Sequence, residues 1–153
     1  MLTIIGVLLS YVVPICVVRI NRAKYDKMIN EMTSIAQASI DYYNAQYHDP
    51  KNPNASWPPD INHLAPLYMF QPVIASPWGS SYVLSTPGNS INSNDLAQVS
   101  TIIPSGIAEN NSEGSMVNVT PVGDGDQISI TLSVTNEGLG MAQYEKKYLY
   151  NNQ

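Results

Sequence analysis

An uncharged apolar run at its start constrains this chain more than any other feature. Residues 2–18, LTIIGVLLSYVVPICVV, contain no charged side chain. These seventeen residues are at the short edge of what an α-helix needs to cross roughly 30 Å of hydrocarbon. A helix that is apolar on every side finds few partners in a domain of this size, so the run predicts a membrane anchor. The alternatives are a buried core helix and a cleaved signal peptide; Pro14 and the lack of a basic start disfavour the latter.

Charge is distributed unevenly along the chain. The formal net charge is -5, yet four of the seven basic residues lie at positions 19–27, directly after the apolar run. From residue 28 onward there are three lysines and eleven of the twelve acidic residues. Gripping a phosphate backbone requires a basic surface, so we expect no nucleic-acid partner for the isolated domain. The positive-inside rule would keep the basic cluster cytoplasmic, unless the chain lacks its true beginning or a dedicated machinery overrides that rule.

A second helical pattern follows the apolar run directly. Apolar and aromatic residues recur at spacings of three and four over residues 25–47, which is the period of one helix face. The face consists of Tyr25, Ile29, Met32, Ala36, Ile40, Tyr43 and Tyr47. The other side is polar, so the pattern predicts a helix with one side against a domain. Four prolines within residues 48–60 predict where it ends.

The remaining residues have the pattern of an antiparallel sheet. Short runs between Gly, Asn and Ser turns predict strands over residues 80–85, 98–103, 116–122 and 127–135. In the last run Ile128, Ile130, Leu132 and Val134 alternate with polar residues, as in a sheet with one face on a core. We expect that face to rest on the helix. A short helix over residues 104–111 and a terminal strand near residues 144–150 are further predictions.

Two stretches carry a resemblance to a known family. The first is Ile4-Ile5-Gly6, with Pro14 eight residues after the glycine and the amphipathic helix behind it. The second is SPWGSSYVLSTPG at residues 76–88, with Pro77, Trp78, Gly79, Tyr82, Pro87 and Gly88. With WPPDINHLAPLY at residues 57–68, they resemble type IV pilins and type II secretion pseudopilins over residues 1 to about 90.

The resemblance implies a fold and a function. The fold is α+β and pilin-like, with a long N-terminal helix, transmembrane in its first half and amphipathic in its second, packed on an antiparallel β-sheet. The function is that of a structural subunit of a type IV pilus or type II secretion-like pseudopilus. Its partners would be copies of itself or homologous pilins in a helical filament, the inner-membrane assembly machinery and the lipid bilayer. The residues implied in helix packing are Ile4, Ile5, Gly6, Leu9, Val13 and Pro14.

The implied location is the bacterial inner membrane, crossed once, with a periplasmic C-terminal domain that becomes extracellular in an assembled pilus. The divisions are an anchor over residues 1–24, an amphipathic half over 25–47 and a β-rich domain over 48–153. Gly6 and Pro14 weaken regular helix, so we expect local unwinding between them when the helix leaves lipid for a filament.

The chain departs from the family at its start. Mature family members begin with a phenylalanine-led stretch ending in a glutamate, preceded by a basic leader and a glycine, and none of these is present at Met1. Superposing Gly6 and Pro14 on the family pattern leaves the chain about eight residues short, which explains the marginal span. We therefore expect a start codon assigned too far downstream. A chain that truly starts at Met1 is instead expected to be a single-pass, membrane-anchored periplasmic binding module that does not polymerise.

Candidate ligands and catalytic groups are few. His48 and His63 are the only histidines and lack the i, i+4 spacing of a zinc helix, so we expect them to be exposed loop residues. Asp124 and Asp126 are candidate calcium ligands; the alternative is a hairpin turn in which Asp and Gly adopt positive φ. Major pseudopilins bind calcium in a loop after the Pro-Trp-Gly strand, which this chain does not reproduce. We expect no enzymatic activity and no other cofactor; a membrane-tethered enzyme is the third alternative, tested by a pocket of titratable groups with shifted pKa values.

Overall fold

One long helix runs through the computed structural model of this chain. The structure describes residues 2–47, 56–86, 96–108 and 117–133, without the side chains of residues 2–5, 7–9, 47, 96 and 133. Helix α1 spans Leu2–Tyr47 and includes Pro14. Its 46 residues correspond to a length of about 69 Å at 1.5 Å per residue. The predicted end of the helix before the proline-rich segment is confirmed.

The second half of α1 carries the buried face. Of the predicted positions, Tyr25, Ile29, Met32, Ala36 and Ile40 are buried and Tyr43 is half-buried, whereas the Tyr47 side chain lies outside the described residues. The buried stripe is wider than predicted, because Met28, Ile35, Ala38 and Ser39 are buried as well. Ser39 donates its hydroxyl to the carbonyl of Ile35 at 2.8 Å, so this buried polar group is satisfied within the helix.

Four antiparallel strands form one sheet. They are β1 (Val83–Ser85), β2 (Leu96–Pro104), β3 (Val117–Val122) and β4 (Gly125–Ser133). Their order across the sheet is β1-β2-β4-β3. The central pair β2–β4 is the longest, with its register running from Leu96 opposite Ser133 to Pro104 opposite Gly125. α1 packs on these two central strands, which gives the α+β layout that the sequence predicts.

The core lies between α1 and the inner face of the sheet. Val99 and Ile103 of β2 and Ile128 and Ile130 of β4 are buried with Met28, Met32 and Ile35 of α1. Ile61 and Leu64 of the 3-10 helix Ile61–Leu64 complete it. The predicted inward face of β4 is confirmed at Ile128 and Ile130, while Leu132 is partly buried and Val134 lies outside the described residues.

Two predicted elements need correction. The strand predicted over residues 80–85 is only Val83–Ser85, because Ser76 and Ser80 are hydrogen-bonded to each other across a turn. The helix predicted over residues 104–111 is wrong in its described part: Pro104 ends β2, and Gly106 has φ +77°, which a right-handed helix cannot include. Residues 109–111 and the predicted terminal strand near 144–150 lie outside the described residues.

Candidate assembly surface and helix junction

Residues 10–20 in the first half of α1 present an apolar surface that the other described residues do not cover. Every residue from 10 to 20 is exposed. The large apolar side chains among them are Tyr11, Val12, Val13, Ile15, Val17, Val18 and Ile20. Burial of apolar area drives association, and soluble monomers rarely expose contiguous apolar patches larger than a few hundred Å². We name the stretch over residues 10–20 the free helix half; it can lie in an apolar solvent or against other chains.

The predicted helix-packing residues all lie on α1, and Gly6, Val13 and Pro14 can be described at side-chain level. Val13 and Pro14 are exposed, and a Cβ added at Gly6 would meet nothing within 4 Å. The side chains of Ile4, Ile5 and Leu9 are outside the described residues. α1 is continuous across Gly6 and Pro14 in this isolated chain. Unwinding on passage into a filament therefore stays a prediction.

The Pro-Trp-Gly segment forms a tight turn beside the middle of α1. The Ser76 amide donates to the Ser80 carbonyl at 2.8 Å, and the Gly79 amide donates to the Ser76 carbonyl at 2.8 Å. Gly79 has φ +86°, a conformation that other residues rarely adopt. Pro77 and Trp78 are thereby held at the tip of the turn, with Trp78 half-buried. Pro87 and Gly88, at the other end of the motif, lie outside the described residues.

This turn joins α1 where the buried face begins. The Lys24 ammonium lies 5.9 Å from the centroid of the Trp78 ring, at the outer limit of a cation–π contact. One helical turn further, Lys27 and Glu31 approach to 3.6 Å. The Tyr82 hydroxyl donates to Oε2 of Glu31 at 2.6 Å. Of the basic residues that follow the apolar run, Lys24 therefore contacts the domain, through Trp78, whereas Lys27 pairs with Glu31 within α1.

The electrostatics of the junction favour a neutral tyrosine. Burial raises the pKa of Tyr82 well above its ordinary value, and the hydrogen bond to Glu31 and the negative charge of that carboxylate raise it further. Tyr82 therefore remains a donor throughout the physiological range. The Tyr82 hydroxyl and the Glu31 carboxylate are paired with each other, so this contact anchors the domain to α1.

The two candidate calcium ligands have different environments. Asp124 is exposed in the β3–β4 turn, whereas Asp126 is buried and accepts a hydrogen bond from the Gly106 amide at 3.0 Å. Among the described residues, no group of three or more His, Cys, Asp or Glu side chains could hold a metal ion. Gly123 has φ +60° and no described residue other than glycine has positive φ, so the turn has the pattern of a type II′ hairpin. The expected positive φ is therefore correct for the glycine and wrong for Asp124.

His63 is exposed, as predicted, but it lies in the 3-10 helix Ile61–Leu64 and not in a loop. His63 Nδ1 lies 2.7 Å from Oδ1 of Asp60, and the same oxygen accepts the His63 amide at 3.1 Å, which caps the 3-10 helix. The hydrogen bond from the His63 side chain is the largest cause of the lowered pKa of Asp60. His48 lies outside the described residues.

Two structural features were not predicted from the sequence. The Tyr82–Glu31 bond joins positions 51 residues apart, so no local pattern could indicate it. The nearly full exposure of Leu67 and Phe70 is the second. The run of large apolar residues between Pro66 and Pro72 is visible in the sequence. The sequence does not show, however, whether these side chains point inward or outward.

No protein-family model, curated protein or solved structure matches this chain. A separate search for membrane spans, confined to the part of the chain that the structure describes, found no helix long and apolar enough for the role.

Proposed function

We propose that this chain is a structural subunit of a type IV pilus or a type II secretion-like pseudopilus, without catalytic activity. The observation that carries the proposal is the division of α1. Its second half buries one face on the sheet, and its free helix half exposes apolar side chains on every side. A continuous helix with its second half packed on a domain and residues 10–20 exposed is the form that a helix-cored filament requires.

Sequence supports the membrane part of the proposal. Residues 2–18 carry no charge, and a helix of that composition is stable in hydrocarbon, where its backbone groups are satisfied internally. The subunit would be stored in the bacterial inner membrane with its C-terminal domain in the periplasm, and would be extracellular in an assembled pilus. During assembly, the free helix halves of copies or homologues would replace the lipid around this surface. The apolar side chains would therefore stay out of water at each stage.

The contacts between α1 and residues 76–82 support a role in transmitting force from the helix to the domain. A subunit pulled through its helix must transmit force to its domain, and the contacts of Lys24 with Trp78 and of Glu31 with Tyr82 lie near the point where the free helix half meets that domain. The Pro-Trp-Gly turn and Tyr82 supply the domain side of these contacts. The same residues carry the family resemblance over residues 76–88.

The experiment is to look for filaments that contain this chain. Cells carrying the full-length gene and the assembly machinery are sheared, and the released material is examined by negative-stain electron microscopy with an antibody against the domain. Val13→Asp is compared with Val83→Asp, because both valines are 54% exposed but only Val13 lies on the free helix half. We expect Val13→Asp to abolish filaments, since a carboxylate is costly in lipid and in an apolar helix core.

The outcomes distinguish a filament subunit from a membrane-anchored binding module. Antibody-labelled filaments from the unmodified chain and from Val83→Asp, with none from Val13→Asp, support the proposal. Membrane-bound monomers without filaments would favour a single-pass periplasmic binding module that does not polymerise. Undiminished filaments from Val13→Asp would contradict assembly through the free helix half.

A further inference from the structure

The segment that follows the 3-10 helix presents two large apolar side chains to solvent. Leu67 is 86% exposed and Phe70, the only phenylalanine in the chain, is 91% exposed. We name these two residues the apolar knob. Isolated exposed leucines are ordinary on protein surfaces, but a phenylalanine and a leucine three positions apart and almost fully exposed are not.

The backbone that carries the apolar knob is fixed. The amides of Tyr68 and Met69 both donate to the Leu64 carbonyl, at 2.9 and 3.0 Å. The Tyr68 ring packs edge-on against Tyr42 of α1, with centroids 5.5 Å apart, and Met69 packs against the core. Tyr68 and Met69 therefore hold the segment to the domain from the inside, and Leu67 and Phe70 face outward. A preorganised apolar surface of this kind loses little conformational entropy when a partner covers it.

The segment that carries the apolar knob is uncharged, which favours an apolar partner. Residues 64–86 contain no Asp, Glu, Lys or Arg. The start of α1 is a second uncharged surface, because residues 10–18 are uncharged and all exposed. The two surfaces are thus matched in chemistry.

The two surfaces cannot cover each other within one chain. The apolar knob lies beside Tyr42, while the free helix half ends at residue 20. Residues 16 and 42 are about 39 Å apart along the helix axis at 1.5 Å per residue. Residue 20, where the free helix half ends, is about 33 Å from residue 42, so a bilayer that holds the free helix half does not reach the knob. Two different complementary patches at opposite ends of a rod give a head-to-tail contact, which continues from copy to copy.

We propose that the apolar knob of one subunit docks on the free helix half of a second copy of this chain. This rests on the proposed function and names the contact that adds subunits along the filament. The rise between contacting subunits is then set by the distance along α1 between the two surfaces. The occupant of the knob is a neighbouring helix, and no ligand or other protein is needed.

The natural Cys16 allows a direct test, because it lies on the free helix half and is exposed. Phe70→Cys is introduced into the full-length chain, assembled filaments are oxidised with copper phenanthroline, and the products are separated on a non-reducing gel. Positions 16 and 70 of one chain are separated by far more than the roughly 7 Å between Cα atoms that a disulfide allows. Head-to-tail contacts link each chain to two neighbours, so we expect a ladder of trimers and longer products. Leu67→Cys should give the same ladder.

Controls define each outcome. The unmodified chain and the double variant Cys16→Ser/Phe70→Cys each have one thiol and can give dimers at most. Asp124→Cys places an equally accessible thiol in the β3–β4 turn and should give no ladder. Filaments that form normally with Phe70→Cys and yield no ladder overturn this inference and leave the proposed function standing; absence of filaments from the unmodified chain is the failure of the proposed function.

Thiol labelling tests whether another part of the same chain covers the apolar knob. The double variant Cys16→Ser/Phe70→Cys carries a single thiol, at the apolar knob. That thiol should react rapidly with maleimide in detergent-dispersed monomers and at least tenfold more slowly in filaments. Slow labelling in monomers would show that the chain covers its own knob and would overturn the inference.

Discussion

The Tyr82 hydroxyl donates a 2.6 Å hydrogen bond to Oε2 of Glu31, across 51 residues of sequence. Lys27 lies 3.6 Å from the other carboxylate oxygen, so Glu31 is bound from both sides. The Lys27 side chain is largely exposed and its ion pair contributes little. The ion pair lies within α1, so the Tyr82 bond is the one of these two contacts that links α1 to the residue before β1.

Replacement of Tyr82 by phenylalanine removes this bond and keeps the ring. We expect Tyr82→Phe to lower the free energy of unfolding by about 1–2 kcal/mol, because the lost bond is made to a charged group that is partly shielded from water. Guanidinium unfolding of the full-length chain in detergent measures the change. Tyr11→Phe, at an exposed position on the free helix half, is the control and should change stability by less than about 0.5 kcal/mol. Equal effects of the two substitutions would show that the Tyr82–Glu31 bond adds nothing.

The raised pKa of Tyr82 predicts loss of stability in alkali. An unfolded tyrosine loses its proton near pH 10, whereas burial and Glu31 keep the folded one protonated to higher pH. The contribution of Tyr82 is fully present below pH about 10 and is lost as the pH rises from there toward the folded pKa. We expect the stability difference between the unmodified chain and Tyr82→Phe to be constant from pH 7 to about 9 and to shrink above pH about 10. If the stability difference between the two chains grew above pH about 10, the pKa of Tyr82 would be lowered by folding and not raised.

The sequence predicted those features that depend on local periodicity. The 3.6-residue pattern identified Tyr25, Ile29 and Met32 as buried, and strict alternation identified Ile128 and Ile130. The pattern underestimated the width of the buried face of α1, because Met28 and Ile35 lie beside the predicted row of residues and are buried as well. A helix that lies across two strands is covered over a broader arc than one that meets a single neighbour.

Features that depend on tertiary contacts could not be predicted. The end of β2 shows this, because Pro104 was expected to start a helix. The helix is absent from the described residues because Asp126, from a different strand, binds the Gly106 amide and Gly106 adopts positive φ. Likewise, the burial of Asp126 and its hydrogen bond with the Gly106 amide could not be predicted from the GDGDQ pattern.

Asp126 should act as a structural group. Removal of its carboxylate leaves the Gly106 amide without this acceptor, so we expect Asp126→Ala to cost about 1–3 kcal/mol of unfolding free energy. Asp124→Ala, in the exposed turn, is the matched control and should cost less than about 0.5 kcal/mol. Thermal unfolding of both variants and the unmodified chain is measured with calcium and with a chelator. A calcium-dependent rise in the midpoint that both substitutions abolish would restore the metal site.

Gly125 permits the close approach of β4 to the end of β2. A Cβ at this position would lie 2.7 Å from the Ile103 carbonyl oxygen, which is backbone and cannot rotate away. We expect Gly125→Ala to lower the unfolding free energy by about 1–3 kcal/mol through forced displacement of the strand pair. Gly6→Ala is the control, because an added Cβ there meets nothing within 4 Å. Unchanged stability in Gly125→Ala would mean that the Pro104–Gly125 end of the sheet yields without cost.

A matched pair of isoleucines separates the two halves of α1. Ile35 is fully buried in the core, so Ile35→Ala should lower the free energy of unfolding by about 2–5 kcal/mol through lost burial and a cavity. Ile15 is exposed on the free helix half, so Ile15→Ala should leave the unfolding of the detergent-dispersed monomer within about 0.5 kcal/mol of the unmodified chain. In filaments Ile15 is expected to lie among neighbouring helices. Filaments of Ile15→Ala should therefore dissociate at a lower detergent concentration than filaments of the unmodified chain. Equal losses of monomer stability in the two variants would mean that the free helix half folds against its own domain, and assembly through that half would then lose its physical basis.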